Sequence, residues 1–202
     1  MPNWIETLDE LHSHYGNPGE TSQVKVTNFL TPAYRSHVQR ARFCVLTTVG
    51  PEGTDGSLRG DEGPVVAVQD ERTLLLPDWK GNERIDSLRN IVRDGRVSLM
   101  FLVPGSNIAM RVNGRARVTA DPDIRRSFER HGKLPRSVIR IDIHEVYSQC
   151  ARALIRSQLW SDVASAADLP SVGDMLKEIT SGTFDGESYD AEWPERAARS
   201  MW

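Results

Sequence analysis

The sequence predicts a mainly β protein, a small closed or nearly closed barrel with helical additions. Three observations carry that prediction. About six segments show strand-like periodicity and are joined mostly by short turns; helical spacing gathers towards the two ends; and one helix is inserted among the strands. Helices do not alternate regularly with strands, as they would in a doubly wound parallel sheet.

With 202 residues the chain is long enough for one medium domain with a substantial core. We read residues 1–202 as a single domain, its barrel core at about 40–150. A hydrophobic content of 39% and a charged content of 26% describe a soluble globular protein, and no apolar run approaches the length of a membrane helix. The formal charge of −3 offers no electrostatic reason for nucleic acid to be the main partner. The start, Met1-Pro2-Asn3-Trp4-Ile5-Glu6, has neither a basic nor an apolar leader region, so a cytoplasmic location is expected. Cys44 and Cys150 form no C-x-x-C pair, which speaks against structural zinc and a disulfide framework.

A first helix is expected after Asn3, with Glu6 three residues on as a capping-box-like pair and Trp4, Leu8, Leu11 and Tyr15 at helical spacing. Gly16-Asn17-Pro18-Gly19 ends it. Thr31-Pro32, an N-cap followed by proline, signals a second helix with Tyr34, Val38 and Ala41 as its buried stripe. From residue 43 the period becomes that of strands. Phe43 to Val49 is apolar and β-branched, and Gly50-Pro51-Glu52-Gly53-Thr54-Asp55-Gly56 is a dense turn signal. Ser57-Leu58-Arg59-Gly60-Asp61 follows, then Val65 to Val68, a loop at Gln69 to Arg72, and a strand over Thr73 to Leu76 that breaks at Pro77.

After a helix marked by Ile85, Leu88 and Ile91/Val92, Arg96 to Val103 reads as a strand buried on both faces. Pro104-Gly105-Ser106-Asn107 is a hairpin turn. In the next strand Ile108, Met110, Val112, Gly114, Ala116 and Val118 share one face, and Arg111, Asn113, Arg115 and Arg117 the other. Asp121-Pro122 starts a short helix through Phe128, and Ile139, Ile141 and Ile143 alternate with Arg140, Asp142 and His144 in a last long strand. Cys150 to Leu159 reads as a helix, and another starts at Ser171 and runs through Met175, Leu176 and Ile179. Gly182 to Trp202 is mixed.

The stretch with most chemical content is Leu74 to Ile91. A buried strand gives way at Pro77 to a turn through Lys80-Gly81-Asn82; Asn82 suits an N-cap, with Glu83 and Asp86 in or near the first helical turn. A strand feeding a helix through such a turn leaves backbone N–H groups pointing outward, and with Lys80 and Arg84 beside them it can seat a phosphate. The same residues also describe an ordinary strand–turn–helix with solvated cations. Arg59, on a neighbouring strand, would add a guanidinium fork to the lysine's point charge. Arg111, nearest the hairpin turn, is the ligand candidate of its strand. Arg156, Ser157 and Trp160 fall within about one helical turn. They offer a flat wall with polar anchors for a planar ring, or simply a helix end with Trp160 plugging the core.

Several chemistries are left without a motif. G-x-x-x-x-G-K-[ST], a G-x-G-x-x-G after the first strand, and G-x-S-x-G are all missing. His12 and His14 stand two apart on a helix and point to different sides, so no metal site is expected.

Four blocks, in order, carry a family resemblance: Ser57-Leu58-Arg59-Gly60-Asp61, Leu75 to Ile91, Arg111-Val112-Asn113-Gly114-Arg115-Ala116, and Cys150 to Trp160. Together they resemble the pyridoxamine 5′-phosphate oxidase-like proteins, the FMN-binding split-barrel superfamily, and more closely its subgroup described as probable FMN-dependent enzymes. The resemblance implies a six-stranded antiparallel split barrel that forms a homodimer with FMN in clefts between subunits. It implies that Arg59 and the turn containing Lys80, Gly81, Asn82 and Arg84 hold the FMN phosphate, that Leu76, Pro77 and Asp78 lie along the isoalloxazine, and that the second subunit completes the pocket. Arg156, Ser157 and Trp160 are the candidates for that completion. The implied function is that of an FMN-binding oxidoreductase acting on a small molecule, or of a non-catalytic carrier of flavin, haem or a deazaflavin. No catalytic acid or base stands out; Asp78 and Ser157 are the candidates. The C-terminal arginine and histidine with which the vitamin B6 oxidases hold pyridoxal have no counterpart in Gly182 to Trp202, so the resemblance does not extend to that substrate.

Overall fold

The computed structural model describes residues 4–161 and 168–200. Its centre is one antiparallel sheet of β1 (Phe43–Gly50), β2 (Gly53–Gly60), β3 (Ala67–Val68), β4 (Thr73–Asp78), β5 (Arg96–Leu102), β6 (Ala109–Thr119) and β7 (Ser137–Gln149), in the spatial order β2-β1-β5-β6-β7-β4-β3. That corrects the expectation of six strands, and in place of the closed or nearly closed barrel expected it leaves an unclosed sheet. The seventh strand is the two-residue β3, and the order has two ends, β2 and β3, that no backbone ladder joins. Side chains bridge the gap instead: Arg59 of β2 meets Asp78 of β4 at 2.5 Å, and the Trp79 indole N–H donates to Asp61 at 3.1 Å.

The inward face of the sheet is the core. Leu46, Leu74, Leu76, Leu99, Phe101, Met110, Val112, Ile139 and Ile141 are all buried on it. Two helices cover this core. In α3 (Pro32–Arg40) the Thr31 hydroxyl accepts from the Tyr34 N–H, and Val38 packs inward as its spacing predicted. In α4 (Asp86–Arg93) Ile91 and Ser87 are buried, whereas Ile85 and Val92 face out, and the helix packs on β1, β2 and β6.

Local departures from the sequence reading have physical reasons. The glycine-rich segment after β1 is mostly strand: only Pro51-Glu52 turn, and Gly53 to Gly60 pair with β1 in register from Gly50↔Gly53 to Phe43↔Gly60. The cross-strand ladder outweighs the low strand propensity of these residues. Pro77 stays within β4. The carbonyls of Thr73 and Asp78 accept from opposite neighbours, which turns position 77 towards the side where β3 has already ended, and its missing N–H costs no ladder bond. β5 is not buried on both faces: Val97, Leu99 and Phe101 are buried, while Ser98, Met100 and Leu102 are half-buried on the uncovered side. β6 carries a bulge between Asn113 and Gly114, where a Cβ on Gly114 would lie 2.2 Å from the Asp142 carbonyl oxygen.

Asn82 is not the cap of α4. Glu83 (φ 61°) and Ile85 (φ 54°) are left-handed, so the helix begins only at Asp86, and Asn82 accepts instead from the Arg84 N–H at 3.2 Å.

The terminal helices are less tied down. In α1 (Leu8–His14) the capping box is Thr7 with Glu10, while Asn3 lies outside the described residues; Trp4, Leu8, Leu11 and Tyr15 are exposed. A short α2 (Glu20–Val24) opens at Gly19, a start that no sequence signal marked. The short helix expected after Asp121 is α5 (Pro122–Arg126), capped by the Asp121 carboxylate, and α6 (Arg152–Arg156) is shorter than the run of helical spacing around it. α7 (Val172–Ile179) starts where Ser171 predicts, its hydroxyl and the Asp174 carboxylate forming a capping box. The mixed tail is also helical, as α8 (Gly186–Ser200). Gly173 and Gly186 touch backbone to backbone, and the Asp190 carboxylate accepts from the Ser171 hydroxyl and the Gly173 N–H. No helix among the described residues is long and apolar enough to cross a membrane, and no cluster of three or more His, Cys, Asp or Glu among them could hold a metal ion.

Candidate functional site

Where β2 approaches the end of β4, a cleft of about 880 Å³ opens between β2, the β4–α4 turn and the first turn of α4. It falls within the usual size range of small-molecule and cofactor sites. Val65, Leu76 and Leu88 supply apolar wall, and Arg59, Lys80, Arg84, Asp55, Asp61, Glu62, Asp78 and Asp86 supply charge of both signs.

Most of these charges are already matched. Arg59 is held by Asp78; Asp61, its side chain 2% exposed, takes Arg130 at 3.1 Å and the Trp79 N–H; and the Arg84 Nε–H donates to Asp86 at 2.8 Å. The buried Ser87 hydroxyl donates to Asp55 at 2.6 Å. Lys80 is exposed and makes no ion pair among the described residues. Arg59 Nε is buried without a partner. In the turn that follows Lys80, Glu83 and Ile85 have left-handed backbone, a conformation that recurs in anion-binding turns. An ammonium with no ion pair among the described residues and an orphaned guanidinium N–H are donors that fit a phosphate ester.

No activated nucleophile is found beside it among the described residues. Cys44 is the cross-strand partner of Arg59, but burial pushes its thiol up to about 12 despite that guanidinium, so it stays protonated.

Of the residues picked from sequence, Arg59, Leu76, Pro77, Asp78, Lys80, Gly81, Asn82 and Arg84 line this one cleft. Arg111, Arg156, Ser157 and Trp160 do not. Arg111 is on the outer face of β6, donating to the Tyr147 hydroxyl at 3.2 Å. The Trp160 indole N–H donates to the Ser106 carbonyl at 2.8 Å, Arg156 is exposed, and the Ser157 hydroxyl donates to the Leu154 carbonyl. Asp55, Asp61 and Ser87 were missed: their neighbours lie far along the chain, and no short motif signals them.

The family model described as pyridoxamine 5′-phosphate oxidase matches residues 30–150, more than half of the chain, and the chain belongs to that family. No match is found among curated proteins. Among solved structures, a single-substitution form of HupZ from Group A Streptococcus shares 13% identity over 59% of this chain and 99% of its own, with a TM-score of 0.50. A Lactobacillus delbrueckii protein provisionally described as a pyridoxamine 5′-phosphate oxidase shares 23% over 60% and 95%, at 0.48. An FMN-binding protein from Syntrophomonas wolfei shares 13% over 57% and 88%, at 0.43.

Proposed function

We propose that this member of the pyridoxamine 5′-phosphate oxidase family is an FMN-binding oxidoreductase acting on a small molecule, with the flavin phosphate at the Lys80–Arg84 turn. The observation that carries the reading is the convergence of Lys80, the orphaned Arg59 Nε and the left-handed Ile85 on a single cleft. Bound flavin would supply hydride exchange at its N5. The chain's own part is to seat and screen the ring. Leu76 and Pro77 offer it a flat edge, and Asp78 holds the Arg59 guanidinium in place.

A homodimer suits the outer face of the sheet. Phe43, Val45, Met100 and Leu102 form an apolar, half-buried patch there, continued by Leu58, which is 71% exposed, and flanked by Arg111. In such a dimer, the partner's Arg156, Ser157 and Trp160 are the candidates to complete the cleft. FMN titration of the purified protein, followed by fluorescence quenching, tests the reading. Lys80→Ala is expected to weaken binding on the order of tenfold to a hundredfold, the worth of one charge-assisted phosphate contact. Arg59→Ala is expected to do the same while stranding Asp78. Unchanged affinity in both variants would put the seat elsewhere. Anaerobic NADH or NADPH then separates a reductase, which bleaches the flavin, from a carrier, which does not.

A further inference from the structure

The loop between β2 and β3 has two sides. Asp61 and Glu62 line the cleft, whereas Gly63 and Pro64 line a second recess of about 550 Å³ against α3. The residues of α3 that reach it recur at three- and four-residue spacing from Pro32 through Arg35 and Ser36 to Gln39 and Arg40, and so share one helix face. The opposite face, with Tyr34, Val38 and the following Ala41, packs into the core. Arg42 completes the lining. Backbone staples hold the two walls together: the Asp61 N–H donates to the Arg42 carbonyl and the Val65 N–H to the Ala41 carbonyl, each at 2.9 Å. The recess is therefore a fixed feature of the fold.

Its charge is one-sided. Arg35, Arg40 and Arg42 line it and no carboxylate does, although the chain has 28 acidic residues to 25 basic ones. None of the three guanidiniums has an ion-pair or hydrogen-bond partner among the described residues. The dipole of α3 accounts for Arg40, in the last helical turn. It does not account for Arg35, nearer the start, or for Arg42, beyond the end. Three like charges brought to one recess repel one another until an anion joins them.

We propose that this recess is a second anion site, separate from the flavin cleft, that binds a small ligand carrying linked phosphate groups. Guanidinium forks match phosphate oxygens pairwise, and two linked phosphates carry more charge and present oxygens over a longer span than a single phosphate, which suits three forks spread along one helix face and just past its end. The lining holds no aromatic side chain on which a ring could stack, so recognition rests on the phosphates.

Calorimetric titration of the full chain with inorganic pyrophosphate, at constant ionic strength, tests this. One pyrophosphate per chain is expected, bound about tenfold or more tightly than orthophosphate. Arg35→Gln combined with Arg42→Gln is expected to weaken it by about tenfold or more, and Arg42→Lys, which keeps charge and loses the fork, by less. Lys80→Ala, on the other side of the loop, leaves pyrophosphate binding within about twofold, so the result stands or falls independently of where the flavin sits. Binding abolished by Lys80→Ala but untouched by the arginine double substitution, or no binding beyond that of an equal ionic strength of chloride, overturns the proposal.

Discussion

The curled sheet and the C-terminal helical hairpin fold by opposite means. The sheet packs Leu46, Leu74, Leu76, Leu99, Phe101, Ile139 and Ile141 into one continuous core. In the described part of the hairpin, residues 168–200, the residues classed as buried are the two glycines at the crossing, Gly173 and Gly186. What spans that crossing is a polar contact, and aromatic contacts brace the second arm. Asp190 reaches across to Ser171 at 2.5 Å and to the Gly173 N–H at 3.0 Å, Phe184 meets Tyr189 edge-on, and Arg196 lies 4.2 Å over the Tyr189 ring. Helix formation needs only local caps and spacing, whereas burial needs a second surface, and within this chain α7 finds little of one.

That contrast can be broken at either end. Leu99→Ala removes a fully buried side chain from the middle of the sheet and is expected to cost about 3 kcal/mol of global stability, read as a shift in a denaturant midpoint at unchanged slope. A loss below about 1 kcal/mol would mean that the core tolerates cavities and is not the unit that sets stability. Asp190→Ala is expected to cost about 1–2 kcal/mol, but only in the hairpin. Amide exchange in α7 should speed up while β1, β5 and β6 keep their protection. Equal loosening in both would show the two parts to be one cooperative unit. Ile179→Ser, at a position 78% exposed, is expected to change stability by less than about 0.5 kcal/mol. A larger loss would mean that another surface covers the α7 stripe of Val172, Met175 and Ile179 in solution.

How much of the site could be read in advance depended on how local its chemistry is. Lys80, Gly81, Asn82 and Arg84 form a contiguous turn after a strand, and the turn signal survives in the sequence whatever the rest of the chain does. Arg59 was reached through an expected pairing of its strand with β4 that the sheet does not contain, since β2 pairs with β1 alone. That Asp78 meets it was not legible, since β2 and β4 stand at different ends of the sheet order and come together only because the sheet curls. The same curl brings Trp79 and Arg130 to Asp61, and α4 carries Ser87 to Asp55. The arginine recess escaped notice for a related reason. Arg35 and Arg40 look like the solvated face of an amphipathic helix until Gly63 and Pro64 arrive opposite them.

The sequence by itself determined the strands of β1 and β4 to β7, the cap and inward face of α3, and the start of α7, because periodicity, caps and turn residues act over a few neighbours. Tertiary structure alone decided that the glycine-rich segment after β1 is a strand, that α4 starts three residues late, and that the sheet has seven strands and two free ends. It also decided which cations keep a free charge. Ladder pairing, left-handed backbone and ion pairing across the curl are settled by residues far apart in the chain, and their free energies exceed the local preferences they override.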